Sequence, residues 1–222
     1  MATFTRIEVV QMMHKTGIVP VFYHKDVEVC KKILQACYKG GIRVFEFTNR
    51  GELAHETFRE ILLFAKQNAP EMMLGIGSVV DAATAALYMQ IGANFVVSPI
   101  CNPEIASVCN RRKIAWIPGC GSATEISNAE ALGAEIVKIF PAKQVGGSDF
   151  IKAVKGPMPW SSIMPTGGIT LENSSLKKWF IAGAWCVGVG SQLFIKNEDD
   201  TYNYKAIQKQ VSISLAEIEQ WR

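Results

Sequence analysis

The chain has 222 residues, of which 49% are hydrophobic, and it sets 23 Lys plus Arg against 20 Asp plus Glu for a formal charge of +3. That length and composition suit one domain with a sizeable core and exclude a disordered chain. The charges are interspersed, and the densest basic group, Arg111, Arg112 and Lys113, reads as a solvated helix end, so neither a nucleic-acid footprint nor a membrane-surface patch is expected.

The six cysteines, Cys30, Cys37, Cys101, Cys109, Cys120 and Cys186, form no CxxC pair and stand beside no histidine at metal-ligand spacing. They read as small buried apolar residues in a reducing compartment, and His14, His24 and His55 share no motif, so no metal site and no cofactor is expected. The first residues, MATFTRIEVVQMMHKTG, contain no apolar core ending in a small-residue cleavage site, and no run approaches the roughly 18 apolar residues of a spanning helix. A cytoplasmic protein is the expectation.

In chain order, residues 7–14 read as an opening helix with Ile7, Val10 and Met13 or His14 toward one side, stopped by Gly17. The first strand spans 18–23, with Pro20 a mark against a central position. Asp26 caps a helix over Val27–Lys39, and Gly40-Gly41 ends it. The second strand, 42–48, puts Ile42, Val44, Glu46 and Thr48 on one face and Arg43, Phe45 and Phe47 on the other. Gly51 and Glu52 open the next helix, which ends near Pro70. A short third strand, 72–76, precedes a helix capped by Asp81.

The fourth strand, 94–98, is stopped by Pro99, and Asn102-Pro103 starts a helix ending near Arg112. The fifth, 114–117, leads through PGCGSAT to a helix over 125–132 with Thr124 as its cap. The sixth is 135–140, followed by a short helix around 150–154. The seventh, 161–164, leads through PTGGI to a helix over 172–182. The eighth, 185–189, precedes GSQLF and a closing helix over 202–221 with Ile207, Val211, Leu215 and Ile218 on one side. Eight strand signals alternating with helices predict one α/β domain over 1–222, a (β/α)8 TIM barrel with a short amino-terminal helix and a closing helix; an open doubly wound sheet uses the same local units.

One stretch of this series carries chemistry. AEIVKIFPAKQVGG (134–147) sets Lys138 in the middle of a run that should be a buried strand. Burying an ammonium without a partner is costly, so a lysine so placed is paired or becomes a neutral, nucleophilic amine able to form a Schiff base. A lysine snorkelling from an edge strand is the other reading. In a barrel, strand carboxyl ends face the active-site mouth, and there Lys138 and Phe140 would meet Glu46, Arg50, Ser78 and Pro99. Lys138 would attack the ketone of a 2-oxo acid, Glu46 would move protons, and Arg50 offers a fork matched to a carboxylate; Glu46 and Arg50 also suit a structural ion pair. The turns PTGGI (165–169) and GVGS (188–191) expose backbone amides at the phosphate position of such barrels, with helix N-termini expected to add favourable dipoles. Tight turns alone would explain them too, and neither is a dinucleotide fingerprint.

Taken in order, GGIRVFEFTNR (40–50), GIGSV (75–79), FVVSP with NPE (95–99, 102–104), IPGCGSATE (117–125), VKIFPA (137–142), PTGGI and GVGS resemble the class I 2-keto-3-deoxy-6-phosphogluconate (KDPG) and 4-hydroxy-2-oxoglutarate (KHG) aldolases over nearly the whole chain. The resemblance implies that Lys138 forms the Schiff base and that Glu46 is the general acid-base residue. It implies further that Arg50, Ser78 and Thr166 contact the pyruvate-derived portion, with Pro99 and Phe140 lining it. Gly167, Gly168, Gly190 and Ser191 match the phosphate-binding turns. Ser78 stands where many members have threonine, and Cys101 also departs from the commoner sequences. Tyr23 replaces an arginine some members carry, which leaves phosphate to backbone amides and to side chains such as Lys143. The implied partners are a small phosphorylated 2-oxo sugar acid, pyruvate and two further copies in a homotrimer. The galactonate epimer is an alternative substrate; an isomerase or epimerase, or a noncatalytic phosphometabolite binder, are alternative functions.

Overall fold

The computed structural model describes residues 2–221. The elements run α1 (Arg6–Thr16), β1 (Ile18–Phe22), α2 (Val27–Lys39), β2 (Val44–Thr48), α3 (Ala54–Asn68), β3 (Met73–Gly77), α4 (Ala82–Ile91), β4 (Phe95–Ser98), α5 (Pro103–Arg112), β5 (Ala115–Cys120), α6 (Ala123–Ala131), β6 (Val137–Ile139), α7 (Gly147–Lys155), β7 (Ile163–Pro165), α8 (Asn173–Ile181), β8 (Val187–Val189), a 3-10 turn (Ser191–Leu193) and α9 (Tyr204–Glu219). Strands β1 to β7 pair in sequence order, all parallel, and β8 lies beside β1. Between β7 and β8 the parallel bridges Ile163↔Ala184 and Thr166↔Gly188 complete the ring, and Trp185 N–H donates to the Ile163 carbonyl at 2.8 Å. The sheet is therefore a (β/α)8 barrel and not an open one.

Alternation of side chains along each strand separates two apolar layers. Val19, Val44, Met73, Phe95, Val97, Ala115, Ile117, Ile136, Met164 and Cys186 fill the barrel lumen, joined by Val9 and Met13 of α1. The outward residues, such as Phe45, Phe47, Val137 and Ile139, pack under the surrounding helices. α1 thus plugs the amino-terminal end of the barrel, and the carboxyl end stays available as a mouth.

Several elements differ in detail from the sequence expectation. The buried face of α1 is Val9 and Met13, while Ile7 is 68% exposed. The doublets Val9-Val10 and Met12-Met13 leave the phase of this helix ambiguous in sequence; the plug position settles it, with Thr5 and Glu8 forming a capping box. Pro20 lies inside β1 because the ladder to β2 starts only at Val21. β5 runs on through Pro118 and Gly119 to Cys120, where a turn was expected. The cap of α6 is Ser122, not Thr124: its hydroxyl accepts from Glu125 N–H at 3.2 Å while the Glu125 carboxylate takes Gly121 N–H at 2.7 Å. The paired strand β6 shortens to three residues.

Candidate active site at the barrel mouth

Period-two alternation decides which way Lys138 faces. Val137 and Ile139 belong to the outer layer and Ile136 to the lumen, so Lys138 enters the barrel from the middle of β6. Its backbone is fixed by registers with Gly119 on β5 and Met164 on β7. The residue is 6% exposed. β2 and β6 are four places apart in a ring of eight strands, so Glu46 approaches from the opposite wall, and Lys138 Nζ stands 3.8 Å from Glu46 Oε1. Phe140, one strand repeat further on, carries its ring centroid 5.2 Å from the same nitrogen. The Phe140–Pro141 peptide is cis.

Glu46 is 1% exposed and its Oε2 has no hydrogen-bond partner among the described residues. Burial pushes its carboxyl above the ordinary value of 4.5, and the positive charges of Lys138 and Arg50 pull it back. The space for it is made by a glycine: a β-carbon on Gly77 would overlap Glu46 Oε1. Gly188 does the same for Thr166, whose hydroxyl would meet any side chain there.

Arg50 is exposed at the end of β2, and its Nε donates to Ser78 Oγ at 3.2 Å. That bond fixes the guanidinium by one edge and leaves both Nη groups without a partner among the described residues. Ser78 holds φ of 60°, a left-handed conformation uncommon for a residue with a side chain. Pro99 follows β4, and its backbone lies so close to Gly119 that a β-carbon there would overlap it. Thr166 follows β7 with its hydroxyl buried and without a hydrogen-bond partner among the described residues. Lys138 and Glu46 thus face the lumen from the middles of β6 and β2, and Arg50, Ser78, Pro99, Phe140 and Thr166 lie just beyond the carboxyl ends of their strands.

The glycine turns lie at the same end. Gly167 and Gly168 take φ of 99° and 79°, which their lack of a side chain permits. Gly190 and Ser191 follow β8. The helix N-termini expected to add dipoles do not abut these turns. α8 begins at Asn173, close to its expected start but separated from the glycine turn by the buried anchors Ile169 and Leu171, and β8 is followed directly by the turn Ser191–Leu193.

Sequence reading overlooked Thr48. It shares the inward face with Glu46, is 1% exposed, and its hydroxyl has no partner among the described residues. The alternation with Glu46 was the available signal. Tyr23 stands away from the lumen, with its hydroxyl against Gly51 and its ring 5.6 Å from that of Phe47. Cys101 is half-buried and the other five cysteines are buried, all as free thiols. A concavity of about 1320 Å³ lies at the strand-entry end, lined by Phe4, Arg6, Ile7, Met89, Leu132 and others, and touches none of these groups.

The geometry defines a (β/α)8-barrel enzyme whose mouth sets a buried amine against a buried acid. The sequence pattern of the KDPG and KHG aldolases matches residues 9–210. The chain belongs to that family of carbon–carbon lyases. A 2-dehydro-3-deoxy-phosphogluconate aldolase from Treponema pallidum is 35% identical over 167 residues, covering 75% of this chain and 78% of that one. Among solved structures, the 2-keto-3-deoxy-6-phosphogluconate aldolase of Zymomonas mobilis with 3-phosphoglycerate superimposes with a TM-score of 0.82 at 26% identity, covering 94% of this chain and 95% of that one. The KDPG aldolase from Legionella pneumophila, with pyruvate captured as a covalent carbinolamine, gives a TM-score of 0.82 at 26% identity, covering 92% and 97%.

Proposed function

We propose that the protein is a class I aldolase that cleaves 2-dehydro-3-deoxy-6-phosphogluconate to pyruvate and glyceraldehyde 3-phosphate through a Schiff base on Lys138, and 4-hydroxy-2-oxoglutarate to pyruvate and glyoxylate by the same route. The observation that carries this reading is the inward-facing, buried Lys138 with its nitrogen 3.8 Å from Glu46. The carbinolamine of the Legionella protein is what an amine and pyruvate form together, and it supports the same chemistry here.

In this mechanism the Lys138 nitrogen adds to the C2 carbonyl, and the carbinolamine loses water to give a protonated imine. Glu46 supplies the proton that makes hydroxide leave as water and then, as carboxylate, takes the proton of the C4 hydroxyl. The C3–C4 bond breaks as the C4 oxygen becomes an aldehyde, and its electron pair moves through C3 into the imine to leave an enamine. Protonation at C3 and hydrolysis release pyruvate and restore the amine. Arg50, held by Ser78, grips the substrate carboxylate, and Thr166 adds a hydroxyl to it. Pro99 and Phe140 wall the pyruvate portion, and the amides of the turns at Gly167, Gly168, Gly190 and Ser191 receive the phosphate.

Release of pyruvate, followed with a coupled dehydrogenase, tests the reading on the phosphogluconate-derived acid, its galactonate epimer and 4-hydroxy-2-oxoglutarate. Wild type is expected to favour the first, and Lys138→Ala to reduce release to background with its circular dichroism unchanged. Near-normal turnover by that variant would remove the assigned nucleophile. The enzyme is read as a single domain working in the cytoplasm, which its free thiols suit, and as the homotrimer that the family resemblance implies, an assembly light scattering would test.

A further inference from the structure

We infer that Lys143 is the phosphate-binding cation of this site and that it sets the preference for phosphorylated over unphosphorylated 2-oxo acids; the inference rests on the aldolase reading for its substrates, but its geometry is independent. The loop leaving β6 is stitched to the turn leaving β7. Ala142 N–H donates to the Thr166 carbonyl at 2.9 Å and Lys143 N–H to the Gly167 carbonyl at 3.1 Å. These bonds fix the backbone of Lys143 alongside the two glycines.

The side chain then follows the turn. A β-carbon built on Gly168 would stand 2.7 Å from Lys143 Cβ, 3.0 Å from Cδ and 3.4 Å from Cγ. The stem is therefore laid along the bare face of Gly168, which leaves the ammonium, two bonds beyond Cδ, within reach of the turn. Gly168 is constrained twice over, by φ of 79° and by this contact. Lys143 is exposed and forms no ion pair among the described residues, whereas Lys31, Lys138 and Lys196 each have a carboxylate.

A phosphate monoester carries nearly two charges, and backbone amides supply dipoles without a net charge to offset them. Tyr23, after β1, offers a phenol and not a cation, and Arg50 is tied to Ser78 beside β2 and β3. Lys143 brings the missing positive charge on a chain anchored to the amide turn itself, and a lysine serves phosphate well as a point charge.

The test compares wild type, Lys143→Ala and Lys143→Arg on the phosphorylated acid and on 4-hydroxy-2-oxoglutarate, with inorganic phosphate as an independent probe. The expected result for Lys143→Ala is a fall of roughly ten-fold or more in the ratio of kcat/KM for the phosphorylated over the unphosphorylated substrate, carried by KM. Lys143→Arg is expected to restore much of the ratio. An unchanged ratio in Lys143→Ala, or equal losses on both substrates, would overturn the inference. If wild type cleaves neither substrate, the aldolase reading fails by itself, and calorimetric titration with inorganic phosphate still decides: weaker binding by Lys143→Ala than by wild type upholds Lys143, and equal binding refutes it.

Discussion

Glu46 faces the barrel lumen from a strand whose neighbours on both faces are buried, and water reaches almost none of it. Its carboxyl is raised above 4.5 chiefly by that burial. The folded chain therefore holds this proton more tightly than the unfolded chain does. The corresponding stability is complete below about 4.5, the ordinary value, and is lost as pH rises through the raised native value. Urea denaturation across that range should give a downward pH slope for wild type that Glu46→Gln flattens, and superimposable slopes would contradict the raised carboxyl. The same variant should lose about 10² to 10⁴ in kcat, the usual worth of a positioned acid-base group. Glu46 was legible in the sequence because a carboxylate between phenylalanines in a strand is conspicuous. Alternation puts Thr48 on the same face, but its part in the site was not legible, since a threonine in a strand is ordinary until its hydroxyl is found buried without a partner among the described residues.

At the scale of elements, the mouth depends on where side chains are missing. β3 ends in Gly77 beside Thr48 in register, and that bare position is filled by the Glu46 carboxylate from the next strand. Gly77→Ala should push Glu46 off its approach to Lys138, costing about 1–3 kcal/mol by overpacking and slowing cleavage well beyond what that stability loss explains. Unaltered kcat with unaltered thermal stability would show that the close approach is unimportant. The short sequence GIGSV marked a strand end but gave no hint of what occupies the space beside its second glycine. Caps were easier to read. Asp26 accepts from both Glu28 and Val29 N–H as its position suggested. For α6 the spacing Ser122 to Glu125 was the better signal than the nearer Thr124, because a box needs its acid three residues on.

Across the whole molecule, eight strand-and-helix units were visible as a repeating alternation, and that count already favoured a closed ring. The seam between β7 and β8 was not visible, because it consists of two isolated bridges, each with one end outside these three-residue strands, whose register follows from the neighbours already in place. The opposition of Lys138 and Glu46 is likewise a property of closure: the two residues lie 92 positions apart, on strands that only the ring sets face to face. An open sheet would leave them far apart. The central claim is that the ring delivers this one amine to the carbonyl of a 2-oxo acid. Incubating the protein with pyruvate and borohydride, then mapping the adduct by mass spectrometry, measures it most directly. A reduced pyruvate adduct on Lys138, absent from Lys138→Ala, is the predicted result; no adduct, or one fixed on another lysine while Lys138 stays unmodified, would contradict it.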